Sequence, residues 1–284
     1  MEFQNSCATN NTIHNAGLRM SIGAYRSSPI PSIYNLACTP PLEIRRLKIT
    51  LNHNKHPSLT RLQSKIQNFI NTTPGKQSTV ISNLLTISPP LAPQWTNPSV
   101  TNTELSILTK KDTSSSIYKQ EYFHLIQNIK CEKMYTDAFK NQIGVGAAVV
   151  WNNIEFMYKL PNSCSVFTVE SIAIIKALEL ITVHQIQDTI IFTDSLSAIN
   201  NIKNTNNPSD IGLYIQNKIY TLKKINNFKI KLFWIPGHSN IIENERADLA
   251  AKTAISSSLS SPTYIISYRD IQALITNKCH LRWH

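Results

Sequence analysis

The stretch MYTDAFKNQIGVGAAVV, Met134 to Val150, puts the tightest limit on how this chain can fold. It reads as a β-hairpin. Side chains alternate along a strand, so Tyr135, Asp137 and Phe139 share one face while Met134, Thr136 and Ala138 share the other. The second strand, Gly144 to Trp151, is apolar almost throughout, which suits a strand covered on both faces. An acid on a strand that enters such an interior needs a reason. For a lone Asp the simplest is a turn, in which the carboxylate bonds its own backbone. Asp137 has company further along the chain.

Around the hairpin the patterns give a consistent order. Tyr118 to Ile129 is a short helix leading in. Asn152-Asn153 suits a tight turn into a third strand, Ile154 to Leu160. Phe167 to Thr182 contains no Gly or Pro and is apolar over most of its surface, which predicts a buried helix. Thr189 to Thr193 is a short β-rich run ending at Asp194, and Ser195 to Lys203 is helical. Asp210 to Asn226 is a helix carrying Lys218, Lys223 and Lys224. Lys229 to Ile235 alternates as a strand and stops at Pro236-Gly237; Glu243 to Thr253 is the closing helix. Three antiparallel strands joined to further strands by helical crossovers make an α/β fold with a mixed five-stranded sheet flanked by helices.

The N-terminal part has another texture. Asn11 to Ile22 predicts an amphipathic helix with Ile13, Leu18 and Met20 among its apolar residues. Ser27 to Pro41 is a turn-rich connector, and Leu42 to Leu51 and Leu59 to Phe69 again look helical. Arg45, Arg46, Lys48, Lys55, Arg61 and Lys65 cluster there, either as a solvated face or as nucleic-acid contacts. TTPGKQ, ISPPLAPQW and TKKDTSSS then have linker composition. The expected organisation is a small helical segment (1–72), a linker (73–117), the α/β domain (118–256) and a tail (257–284) that reads as truncated.

Charge narrows the partners. The chain has 28 Lys and Arg against 17 Asp and Glu, a net charge of +11. An excess of that size favours a polyanion, with nucleic acid ahead of a membrane surface. The five cysteines are scattered and show no CxxC spacing, which argues against a disulfide scaffold or a zinc site. The opening residues lack a signal-peptide layout, and no apolar run reaches the roughly 20 residues that span a bilayer. A soluble intracellular protein, in nucleus or cytoplasm, is the expectation.

Four acids fall at positions of mechanical interest: Asp137 on the first strand, Glu170 in the first turn of the buried helix, Asp194 just past a strand end, and Asp248 on the last helix. Each has a plain account. Glu170 offsets the positive end of its helix, Asp194 caps the next helix, and Asp248 pairs with Lys252 one turn on. Together they are harder to dismiss, because clustered acids repel one another unless cations neutralise them. Carboxylates without Cys or His suit hard octahedral ions, Mg²⁺ first and Mn²⁺ second. Two such ions about 4 Å apart are the usual apparatus for in-line attack of water on a phosphodiester. A basic protein with that cluster points to a nuclease.

The motifs YTDAFK, GVGAAVV, TVESIAIIKALE, IFTDSLSAI and WIPGHSNIIENERADLAAK, in unbroken order from about Cys131 to Ser256, resemble a type 1 ribonuclease H domain. The resemblance implies that fold, hydrolysis of the RNA strand of RNA–DNA hybrids with two Mg²⁺ ions, and products bearing 5′-phosphate and 3′-hydroxyl. It puts the metal-binding acids on Asp137, Glu170, Asp194 and Asp248. His238, by type alone an ordinary surface histidine, becomes the loop histidine that aids proton transfer or product departure. Ile13 to Arg46 is similar to the segment joining reverse transcriptase to ribonuclease H in jockey-like non-LTR retrotransposon polyproteins, which implies a reverse transcriptase partner. Where the family has Gly and a small polar residue after its first Asp, this chain has Ala138 and Phe139, which bears on substrate affinity rather than metal binding. The rival readings are a decayed fragment that binds hybrid without cutting it, and a bare tether. Lys218, Lys223 and Lys224 are either backbone contacts for the hybrid or a solvated helix face.

Overall fold

The computed structural model describes residues 2–42, 45–46, 49, 83–84, 90–91, 100–108, 113–224 and 226–283. The helix expected over Leu59 to Phe69, and most of that over Leu42 to Leu51, lie outside these. The chain forms two compact units, Met1–Thr79 with Ile271–His284, and Val80–Asp270.

The first unit contains α1 (Glu2–Ile22) and α2 (Ile30–Leu36). Its apolar face is not the one the sequence suggests. Ile13 and Met20 are 65% and 79% exposed while Leu18 is half-buried, and among the described side chains of α1 the buried one is Asn15. The reason is a specific bond: Tyr34 of α2 is buried and its hydroxyl donates to Asn15 Oδ1 at 2.7 Å. His14 stacks on the same ring. A buried phenol needs a polar partner, and that need outranks the periodicity of two exposed apolar side chains.

The second unit is built on a sheet. Its elements are β1 (Asn83–Leu84), β2 (Thr101–Asn102), a 3₁₀ turn (Glu104–Ile107), α3 (Ser115–Ile126), β3 (Glu132–Lys140), β4 (Val145–Trp151), β5 (Ile154–Leu160), α4 (Val166–Val183) and β6 (Asp188–Thr193). There follow α5 (Leu196–Lys203), α6 (Asp210–Lys224), β7 (Lys229–Trp234), α7 (Ile242–Thr253), β8 (Ser261–Pro262), β9 (Ile265–Ile266) and the start of α8 (Tyr268–Trp283), which passes into the first unit after Asp270. The strand order is β2-β7-β6-β3-β4-β5-β8. The β3–β4 and β4–β5 pairs are antiparallel and the others parallel, and β1 pairs separately with β9. Asn152 and Asn153 take φ of 48° and 63°, the left-handed pair that a two-residue hairpin turn requires. At the β3–β4 turn Asn141 Oδ1 accepts from the amides of Ile143 and Gly144.

The five expected strands are the centre of this sheet, and the two outer strands were not foreseen. β2 comes from the stretch whose composition reads as linker and β8 from the stretch that reads as tail. β7 offers unpaired backbone groups at its edge, and the Leu232 amide donates to Val100 O at 2.7 Å. Val100 and Leu105 are buried beside it. One core layer holds Tyr122, Tyr135, Phe192, Phe233, Ile241 and Ala247, drawn from α3, the central strands, the loop after β7 and α7. Burying α4, with twelve interior residues, fills another. Among the described residues no helix is long and apolar enough to cross a membrane.

Candidate active site

The register of the sheet brings the first acids together. β3 and β6 run parallel, with Thr136 opposite Thr193. The next residues are Asp137 and Asp194, so their carboxylates fall side by side on one face. α4 packs on β3 and β4 and contributes Glu170. One oxygen each from Asp137, Glu170 and Asp194 lie within 4.8 Å of one another.

Asp137 is 6% exposed and Glu170 9%. The Ala138 amide donates to Asp137 Oδ1 at 2.6 Å, so the turn-like bond expected of a lone Asp is present as well. Glu170 Oε2 is buried and has no hydrogen-bond partner. Asp194 is approached by the loop after β7. Trp234 Nε1 donates to its carbonyl at 2.9 Å, and a side chain at Gly237 would put a Cβ 2.5 Å from Asp194 Oδ2. Only glycine lets the loop come that close.

Burial and crowding disfavour negative charge here. Desolvation first, then Asp194, then Asp248 push Asp137 up to about 8, against the pull of the Ala138 amide and Lys252. Desolvation, then Asp194 and Asp137, push Glu170 up to about 9. These groups fit a divalent cation. All donors are oxygen, the cluster repels itself, and Glu170 Oε2 is a buried acceptor with nothing to accept from.

Asp248 stands outside that triad. It is near enough to raise the pKa of Asp137, but its Oδ2 bonds Lys252 Nζ at 2.6 Å. It belongs to a second group with His238 and Glu245, whose ligand atoms lie within 4.8 Å of one another. The convergence expected of four acids is thus three plus one, because the i,i+4 lysine claims the fourth. Lys252 is held in turn over the ring of Phe139, 5.5 Å from its centroid. Phe139 packs with Met157 against Ala148, Ala250 and Ala251, so it does a core residue's work.

His238 sits at the rim with φ of 57° and its side chain 72% exposed; Nδ1 is 3.9 Å from Glu245 Oε2. Glu245 was not singled out from the sequence. Its signal was available: three residues before Asp248 on one helix, it must share that face. Of the three lysines on α6, Lys218 pairs with Glu179 at 3.9 Å. Burial and then the charges of Lys224 and Lys231 lower the pKa of Lys223.

A mixed sheet whose parallel central strands bring two acids side by side, with a third on the crossover helix, defines the ribonuclease H-like class of α/β proteins. The RNase H family model matches residues 130–256 of the chain. Solved structures that match include RNase H1 from the halophilic archaeon Halobacterium salinarum NRC-1. It is 20% identical, with a TM-score of 0.34, over 44% of this chain and 96% of that one. No curated protein matches the chain.

Proposed function

We propose that this protein hydrolyses the RNA strand of RNA–DNA hybrids, with divalent cations held by Asp137, Glu170 and Asp194 and joined by Asp248. The observation that carries this reading is the buried acidic triad within an RNase H domain, with one Glu170 oxygen left without a partner. Mg²⁺ bound there supplies the Lewis acidity that attack of water on a phosphodiester needs.

The chain's own residues do the rest. Asp137 and Glu170, protonated near neutral pH without a cation, release their protons on binding one, which couples cation affinity to pH. Gly237 lets the β7–α7 loop lie against Asp194. His238, open to water and facing Glu245, carries a proton between the reaction site and solvent. Preference for hybrid over duplex DNA comes from 2′-hydroxyls and groove shape. The similarity of Ile13 to Arg46 to a retrotransposon connection supports an origin in such an element, with a reverse transcriptase as partner.

The Asp248–Lys252 pair favours one other reading, a binding module in which the fourth acid is already neutralised. A labelled hybrid separates the two. Mg²⁺-dependent cleavage is expected, and Asp194→Asn should reduce it by more than about 100-fold, since loss of outer-shell partners alone costs 10- to 100-fold. Tight hybrid binding without cutting by the unaltered chain would leave the binding module standing.

A further inference from the structure

The family match ends at residue 256, yet the chain after it returns to the sheet. Ser261 and Pro262 pair with Tyr158 and Lys159 of β5. The Thr263 amide donates to Lys159 O at 2.8 Å, and Cys164 Sγ donates to Ile265 O at 3.6 Å. This path brings the start of α8 against the start of α4, the helix that carries Glu170.

The two helix starts are tied by two bonds, both donated from the α4 side. Ser165, the N-cap of α4, accepts from the Thr168 amide. Its own amide, outside the helix's bonding pattern, donates to Asp270 Oδ1 at 3.0 Å. The Ser165 hydroxyl donates to Thr168 Oγ1, which donates to Ser267 Oγ, each at 3.1 Å. Ser267 Oγ also accepts from the Asp270 amide at 3.2 Å. Ser267 thus caps α8 through the Asp270 amide, while the Asp270 carboxylate caps α4 through the Ser165 amide. Asp270 is 3% exposed, a carboxylate buried at the positive ends of helices.

Glu170 lies five residues after Ser165 and is pressed against two other acids. Glu170 lies in the second turn of α4, so its oxygen keeps the spacing a shared cation needs only if the first turn before it, the loosest part of a helix, is held in place. A bond network anchored in a separate segment holds that first turn in place. We propose that Asp270, seconded by Ser267, is a positioning residue. It fixes the start of α4 and so holds Glu170 where it would share a divalent cation with Asp137 and Asp194. The inference rests on the cation-binding part of the reading above, but not on hybrid cleavage.

The test uses the full chain and measures Mn²⁺ affinity by electron paramagnetic resonance, well below the melting temperature. Asp270→Ala should weaken Mn²⁺ binding about tenfold and raise the Mg²⁺ needed for half-maximal cleavage by the same factor. Hybrid affinity in Ca²⁺ should not move. Asp270→Asn should restore most of the loss, because its amide oxygen still accepts from Ser165. Should the alanine variant fail to fold, Ser267→Ala should shift Mn²⁺ affinity the same way by less. Ile219→Val, a core change on α6, should lower the melting temperature without moving Mn²⁺ affinity. If Asp270→Ala behaves like Ile219→Val, the segment is a structural cap and the inference fails, whatever the hybrid assay gives. If Mn²⁺ affinity responds to Asp270 but no hybrid is cut, the nuclease reading fails and the positioning role stands.

Discussion

Asp137 and Glu170 tie the stability of the cation-free protein to pH. Their ordinary values of 3.8 and 4.5 rise to about 8 and about 9 in the fold. Over that window the folded chain holds protons that the unfolded chain has released, so stability must fall as pH rises. The expected result is a melting temperature in EDTA that drops between pH 5 and pH 9, apart from other titrations. Mg²⁺ should recover it most at the alkaline end. Asp137→Asn should flatten the drop and blunt the Mg²⁺ response, since the amide cannot ionise. A slope in EDTA that Asp137→Asn leaves unchanged would show that these carboxyls keep ordinary values. Both residues were legible as candidates from their places on a strand and a helix. That Lys252 holds Asp248 was legible too, as an i,i+4 pair. What could not be read was which of the two uses of Asp248 wins, since that depends on Phe139 seating the lysine.

Elements with a strong period were read within a residue or two. Expected as Phe167 to Thr182, α4 spans Val166–Val183, and β5 is Ile154–Leu160 as expected. Two-residue strands have no period, so β2 and β8 were invisible in stretches rich in Pro, Ser and Thr. They form because a sheet edge supplies backbone partners, a property of the neighbour and not of the segment. Leu105 gives this a measurable consequence. At 5% exposed in the main core layer, Leu105→Ala should cost about 2–4 kcal/mol in urea unfolding. A loss below about 0.5 kcal/mol would return residues 100–107 to the status of linker.

Across the whole molecule the net charge of +11 sets the expected salt dependence of hybrid binding. Tertiary structure sorts the lysines that composition treats alike. Lys218 has Glu179 as its partner, while Lys223 is disfavoured as a cation first by burial and then by the like charges of Lys224 and Lys231, a crowding that a phosphate backbone relieves. Replacing Lys223 and Lys224 together with Ala should make the slope of log affinity against log salt shallower by about one to two. Lys218→Ala should leave it unchanged. An unaltered slope in the double variant would remove α6 from the contact surface. The sequence by itself determined what acts over a few residues: alternation on strands, the period of α4, the paired asparagines of the turn and the spacing of each motif. Only the folded chain decided which carboxylates meet, that Asn15 and not Ile13 faces inward, and that Asp270 caps a helix 105 residues upstream. Such contacts join residues whose separation along the chain carries no local signal, so packing alone selects them.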